Sequence, residues 1–324
     1  MGRKEETGVS GLRVAVTGAN GDLGSLLLPL LEQDERVESI LALDVVKPAH
    51  LGSKATWRRV DLARHDADRQ LSDALAEHGS DALFHLAFLF SPITNAAFAH
   101  ELEVIGTLHV LSATAAAKVK RLVIPSLTAV YGARKGSPAY LREDAPTVGA
   151  PPNRFVQDKV EVERQVNAFR PRHPETKVIV LRFAPVLGPS VDNPVTRFLK
   201  ARVVPSLLGF DPLWQALHEE DAAQALHLAL YADAEGFFNV VGRGVLPLSG
   251  MIRLAGGNVL PLPNPFARGA IRALNAAGAL GVPMSLLDFI QYSWVADGER
   301  AARELGFVPR YHARDAVGAV RRSR

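Results

Sequence analysis

The residues best able to do chemistry stand near the start of the chain, in the run Val14-Ala-Val-Thr17-Gly18-Ala19-Asn20-Gly21-Asp22-Leu23-Gly24. Three glycines at this spacing, after an apolar run and before a helical pattern, form a backbone cradle for phosphate. Glycine at 18 permits the tight turn, glycine at 21 lets the backbone approach a pyrophosphate, and glycine at 24 lets helix and strand pack closely. Asn20 lies in the turn, and the helix opening at Asp22 and Leu23 offers free N–H groups and a partial positive charge to a diphosphate. A glycine triplet alone is a common turn; the strand before it and the helix after it are what imply a ligand. Asp44 closes the next apolar run, Leu41-Ala-Leu-Asp44, 26 residues beyond Gly18. A carboxylate there accepts hydrogen bonds from an adenosine ribose and repels a 2′-phosphate, which favours NAD over NADP. Lys47 and Arg58 are the cations that keep NADP as the lesser alternative.

These residues need a scaffold, and the remaining pattern supplies one. Short apolar runs at 12–17, 39–43, 57–60, 81–86, 122–126 and 177–183 read as buried strands. Helical spacing lies between them at 22–33, 66–78, 95–117 and 153–169. Pro29 falls inside the first helix and predicts a kink there. Strands apolar on both faces and alternating with helices predict an α/β fold, a doubly wound parallel sheet of Rossmann type. Beyond Phe183 the pattern loosens around Pro185, Pro189, Pro194, Pro205 and Pro212, then resumes with a helix at 219–231 and a strand at 237–241. The expected organisation is a nucleotide-binding domain over residues 10–185, with a returning strand near 236–241. Residues 186–324 would form a smaller, discontinuous and mostly helical lobe on the substrate side.

Composition narrows the class. The chain has 324 residues, 48 % of them apolar and 22 % charged, with a formal charge of +3. Its mean hydropathy of +0.06 belongs to a globular protein with a sizeable core. A pI near 9.2 would suit nucleic acid, but no basic stripe interleaved with aromatics appears, and the basic end at Arg321, Arg322 and Arg324 reads as a solvated terminus. Without cysteine there is no disulfide, thiolate or Cys-based metal site. Residues 1–10 lack the apolar core of a signal peptide, and no apolar run approaches the roughly 18–20 residues of a membrane span. A cytoplasmic protein is expected.

The ordered motifs resemble the extended short-chain dehydrogenase/reductase family, the NAD-dependent epimerase/dehydratase group, over residues 12–241. Thr17 to Gly24 matches the family's glycine motif, and Asp61-Leu62 is similar to its adenine-contacting pair. His85-Leu86-Ala87 sits where the fourth strand passes beneath the cofactor. Gly106-Thr107 matches the following helix, although Glu103 stands where Asn is usual. Val130-Tyr131-Gly132 follows the fifth strand, and Arg182-Phe-Ala-Pro185-Val-Leu-Gly188-Pro189 resembles the segment at the nicotinamide end. The resemblance implies that Gly18, Asn20, Gly21, Asp22, Leu23, Gly24, Asp44, Asp61, Leu62, Leu86, Ala87, Ser126, Lys159 and Pro185 bind NAD.

The catalytic positions depart from the family. Its acid–base dyad, Tyr-x-x-x-Lys, reads Phe155-Val-Gln-Asp-Lys159 here, and its catalytic Ser or Thr place, four residues before Tyr131, holds Leu127. Moving a hydride at a carbinol carbon also moves a proton on its oxygen, and phenylalanine has none to exchange. Losing a positioned acid–base group costs on the order of 10²–10⁴ in rate. Lys159, one helical turn from Phe155, still reaches toward the ribose hydroxyls in this reading. Ser126 and Thr128 are the weak replacements for Leu127, because a slip of one position along a strand turns a side chain to the other face. Tyr131-x-x-x-Lys135 repeats the dyad pattern by coincidence in a glycine-containing segment. His85 and His109 read as core or surface histidines. His218-Glu-Glu-Asp221 starts a helix rather than holding a metal, its carboxylates suiting the N-terminus.

On the substrate side, the arginines that would clamp a sugar-nucleotide diphosphate are absent near Trp214-Gln215 and before Asp297, leaving Arg253, Arg268 and Arg272 unanchored. The stretch Pro261 to Gln291 is rich in Leu, Ala, Ile and Phe, which serves either packing or a pocket for an apolar substrate. Alanines at 113 and 115–117 would permit close approach of two copies, as a homodimer. Three functional readings result. The first is an NAD(H)-binding member with a degenerate dyad and an unassigned substrate. The second is an active epimerase or oxidoreductase with a relocated acid–base group. The third is a non-catalytic sensor or scaffold responding to NAD(H).

Overall fold

In the computed structural model the described residues are 11–89, 91, 93, 95–149, 154–264, 266, 269–271, 273 and 288–322. The expected parallel sheet is present. Strands β1 (Leu12–Thr17), β2 (Val37–Asp44), β3 (Ala55–Arg59), β4 (Ala82–His85), β5 (Arg121–Leu127) and β6 (Lys177–Phe183) are joined by the returning strand Gly236–Val240. Their spatial order is returning strand, β6, β5, β4, β1, β2, β3, and every pairing is parallel. The chain therefore reverses its direction of winding between β1 and β4, which opens a crevice at the strand ends there.

Alternation along the strands builds a core on each face. Val14, Val16, Ile179, Leu181 and Phe183 point to one side, where α1 (Asp22–Gln33) and α7 (Glu219–Ala229) bury Leu23, Leu27, Leu31, Ala222 and Leu226 against them. Ala15, Leu83, Val178 and Val180 point to the other, under α2 (Ala67–His78), α4 (Gly106–Ala116) and α5 (Arg154–Phe169). In α2 the buried residues Ala67, Leu71, Ala74 and Leu75 fall at helical spacing. The helix then ends on Gly79, whose positive φ of 67° allows its N–H to reach back to the carbonyls of Leu75 and Ala76.

Pro29, where a kink is expected, lies on the exposed side of α1, which runs on to Gln33. Two expectations are corrected. The helix expected over 95–117 is not uniform. It consists of α3 (Ala96–His100), a π-helical turn over Glu101–Ile105, and then α4, with the Gly106 N–H reaching back to the Glu101 carbonyl. The region expected to be mostly helical also carries strand pairs: Val186–Leu187 with Leu217–His218, Leu213–Trp214 with Leu246–Pro247, and Val203–Leu207 with Asn258–Leu262. Periodicity over the proline-rich stretch is too short to distinguish these strands from loops. They pack with α6 (Pro194–Lys200), Met251, Ile252, Trp294 and Val317 into a third cluster. Arg268, Arg272 and most of 265–287 lie outside the described residues, as do residues 1–10, Asn153 and Arg324. No helix among the described residues is long and apolar enough to cross a membrane.

Candidate functional site

The glycine loop leaves β1 and enters α1 with no room for a side chain at positions 18 and 24. Gly18 has φ of 66°, and a Cβ there would lie 2.3 Å from the Ala87 nitrogen. A Cβ on Gly24 would lie 2.4 Å from the Gly18 carbonyl oxygen, so helix and loop touch backbone to backbone. Gly21 is the helix cap, with Asp22 in the first turn. Burial, and then the carboxylates of Asp192 and Glu219, push the Asp22 carboxyl above its usual range.

Beside the loop lies a cavity of about 350 Å³ lined by Gly18, Asn20, Gly21, Asp44, Asp61, Leu62, Leu86, Ala87, Phe88, Phe98 and Leu102, among others. The Asp44 carboxylate closes its β2 side, accepting from the Asn20 N–H at 2.9 Å and the Val46 N–H at 3.1 Å. Each oxygen retains a lone pair for a further donor. Leu23 is buried in the core, so only its backbone belongs to the loop. Pro185 follows the end of β6, further along the sheet edge. Arg58, one of the two cations weighed for a 2′-phosphate, is paired with Glu77 on the surface.

The surroundings of Lys159 depart most from expectation. Lys159 does not stand free on its helix: it is 1 % exposed, and its ε-ammonium is hydrogen-bonded to the Glu103 carboxylate, itself 2 % exposed. The π-helical turn supplies Glu103, whose other oxygen accepts the Leu89 N–H. Two aromatic rings complete the enclosure, Phe88 with its centre 3.0 Å from Lys159 Nζ and Phe155 at 5.1 Å. Burial draws the Lys159 amine down to about 8 in spite of Glu103, and burial pushes the Glu103 carboxyl up in spite of Lys159. Next to them, His85 bridges Thr17 at 2.9 Å and Thr107 at 3.2 Å and is drawn down to about 3 by burial and by Lys159, so it is a neutral core histidine.

Ser126 is buried. Its hydroxyl donates to Glu163 at 2.7 Å in a buried network, where Arg182 binds Glu163 through two nitrogens at 2.9 and 2.7 Å and donates to the Tyr131 hydroxyl at 2.7 Å. Tyr131 donates in turn to Asn239, and burial pushes its phenol up to about 12. Both hydroxyls are thus engaged inside this buried network. Leu127, the next residue on β5, occupies the opposite face, and Thr128 is buried in the short helical turn Thr128–Tyr131. His109 binds the Leu62 carbonyl, and Trp214 and Gln215 are tied by hydrogen bonds to Phe289 and Ala296. His218 caps α7, Asp221 accepts the Arg310 and Tyr311 N–H groups, and no three His, Asp or Glu side chains among the described residues are grouped to hold a metal.

Sequence reasoning missed the partners. Glu103 was visible only as a residue in an asparagine's place, and nothing in the spacing linked it to Lys159. The Glu163–Arg182 pair left no signal at all. A further pair, His100 Nδ1 with Asp158 Oδ1 at 2.8 Å, joins α3 to α5 immediately before Lys159.

Residues 14–240 match the sequence profile of the NAD dependent epimerase/dehydratase family. An uncharacterized protein of Mycobacterium tuberculosis is 31 % identical over 307 residues, 92 % of this chain and 80 % of its own length. The UDP-glucose 4-epimerase of Yersinia enterocolitica is 28 % identical over 186 residues, covering 55 % of this chain and 54 % of its own. Among solved structures, the Thermotoga maritima UDP-glucose 4-epimerase with UDP-glucose superposes with a TM-score of 0.72 at 17 % identity, covering 96 % and 98 % of the two chains. The Bacillus cereus UDP-glucuronic acid 4-epimerase in complex with NAD gives 0.73 at 18 % identity over the same shares. At these identities the likeness is one of fold.

Proposed function

The chain belongs to the NAD-dependent epimerase/dehydratase family, and we propose that it binds NAD(H) in the crevice between β1 and β4 while lacking the family's acid–base dyad. Its own residues fit the dinucleotide. The Gly18 and Gly24 contacts leave backbone alone beneath a diphosphate, the cavity accepts an adenosine, and Asp44 opposes a 2′-phosphate. Bound NAD supplies a nicotinamide ring that takes or gives a hydride.

One observation carries the catalytic half of the reading. Phe155 stands in the phenol's place, and the lysine that would tune a phenol is enclosed with Glu103. The chain can then hold and orient a dinucleotide, but no hydroxyl at positions 127 or 155 exchanges a proton with a substrate oxygen. Calorimetry with NAD⁺, NADH and NADP⁺, followed by turnover assays on UDP-glucose and UDP-glucuronic acid, tests both halves. Binding of NAD(H) with weaker NADP⁺, and no measurable epimerisation, is expected. Robust epimerase turnover would overturn the degenerate dyad, and absence of heat with every dinucleotide would overturn the cofactor assignment.

The His100–Asp158 pair favours a second reading, in which acid–base work has moved. Asp158 holds one ring nitrogen of a partly exposed histidine close to Phe155 and Lys159. Turnover of any sugar nucleotide that His100→Gln abolishes, with NAD affinity unchanged, would select this reading over the first.

A further inference from the structure

Pro29 takes no part in the dinucleotide crevice, but it lies on the wall of a second cavity. This groove of about 440 Å³ runs between the outer face of α1 and the connection from β2 to β3. Ser25, Leu28, Pro29, Glu32 and Gln33 line it from the helix, at the spacing of one helical face, and Pro48 to Gly52 line it from the connection. Its volume is that of a small-molecule site. Asn20 borders both this groove and the cavity beside Asp44, so the groove adjoins the dinucleotide crevice.

The groove is furnished with acceptors and lacks cations. The Glu32 carboxylate accepts the Ser53 hydroxyl at 3.1 Å and the Lys54 N–H at 3.0 Å, both on Oε1, while Oε2 is shut off from water and has no donor. A buried carboxylate oxygen left in this state is costly, and a ligand N–H would relieve it. Glu32 as a whole is half-buried, so the groove reaches its side chain. Gly52 beside it presents backbone alone; a Cβ there would lie 2.4 Å from Oε2. Pro29 has no N–H to give the Ser25 carbonyl one turn earlier, which leaves a second acceptor on the same wall short of its helical donor. No lysine or arginine lines the groove, and Lys54 sends its ammonium to the Asp34 carbonyl at 2.8 Å. His50, exposed at the rim, is the other titratable side chain in the lining. Leu28, Pro48, Leu51 and Ala55 supply an apolar floor.

We propose that this groove is a binding site for a compact organic ammonium ion, its charge on Glu32 and its apolar body against Leu28, Pro48 and Leu51. An anion is disfavoured by the unopposed carboxylate, and a purely apolar guest would leave both acceptors unmet. An ammonium brings three donors and a positive charge, and its bond to a carboxylate is of the stronger, charge-assisted kind. The site stands whether or not NAD occupies the crevice.

Calorimetry on the full chain at about pH 7.5, where a primary amine is protonated, takes phenethylamine as the probe, with phenethyl alcohol and phenylacetate as its neutral and anionic counterparts. The amine is expected to bind at least about tenfold more tightly than the alcohol, and phenylacetate not at all. Glu32→Gln keeps an oxygen for Ser53 and Lys54 and should bring the amine down to the level of the alcohol. Ala49→Trp, on the exposed connection, should fill the groove and weaken the amine by about tenfold or more with Glu32 in place. That variant decides the question if the glutamine variant does not fold. Equal affinity of amine and alcohol for the parent chain overturns the inference, as does a preference that survives Glu32→Gln or amine binding indifferent to Ala49→Trp. Absence of saturable heat with the amine at about 10 mM overturns it as well.

Discussion

Phe155→Tyr supplies the phenol that the proposed reading lacks, and the geometry around Lys159 leaves that phenol facing an ammonium already paired with Glu103. Lys159 Nζ lies 5.1 Å from the centre of the Phe155 ring, so a phenolic oxygen would stand about 6 Å from the ammonium. At an effective dielectric of about 20, an isolated ammonium at that distance favours the phenolate by about 3 kcal/mol, near a hundredfold in acidity. The Glu103 carboxylate touches the same ammonium and opposes the phenolate by a comparable amount. The two effects nearly cancel, and burial works against ionisation. Phe155→Tyr alone should therefore carry a phenol no more acidic than an ordinary tyrosine. Phe155→Tyr combined with Glu103→Asn should carry one more acidic by about thirtyfold to a hundredfold, the phenolate taking over as counter-ion to Lys159. Ultraviolet difference titration against the matching Phe155 proteins isolates the new phenol from the five native tyrosines. If the single and double variants titrate together, Glu103 does not neutralise Lys159 and the reasoning fails. Any gain in UDP-glucose turnover should likewise appear in the double variant and not in the single one.

Other consequences can be measured directly. Gly24→Ala puts a methyl group 2.4 Å from the Gly18 carbonyl oxygen. It should lower NAD affinity by about tenfold or more in calorimetry while circular dichroism still shows a folded chain. His85 is held neutral, its pKa drawn down to about 3 from 6.5. The unfolded chain thus binds the extra proton between those values, and the stability His85 contributes is complete above about pH 6.5 and lost as pH falls. Relative to His85→Gln, the parent should lose about 2 kcal/mol between pH 7 and pH 5 in urea unfolding, and a constant difference would refute the neutral assignment. Glu163→Gln strands the buried Arg182 charge and should cost about 3–5 kcal/mol, whereas Glu163→Met with Arg182→Met should recover most of it in the same unfolding assay.

The parts of this protein legible from residue order are those whose physics is local. Gly18 and Gly24 announce the strand-to-helix turn because a tight backbone turn and a helix packing contact each exclude a side chain within a few residues. Asp44 could be placed because it closes an apolar run, and a strand's end is set by that run. The alternation of strands with helices was enough for the parallel sheet, since connections between parallel strands must cross a face. The absence of a hydroxyl at 127 and 155 is a matter of composition at a position, and it needed no coordinates.

What stayed hidden depended on partners far apart in the chain. Lys159 seemed available because helical spacing shows which face a residue shares and says nothing of what presses against that face. Its partner arrives through a π-helical turn at Glu101–Ile105, where one extra residue per turn shifts the helical phase that periodicity assumes to be constant. Residue order offers Ser126 as a hydroxyl near position 127, and only strand packing shows that it is bound to Glu163. Charge compensation and side-chain direction arise from packing between elements, and three-dimensional contact is where they are settled.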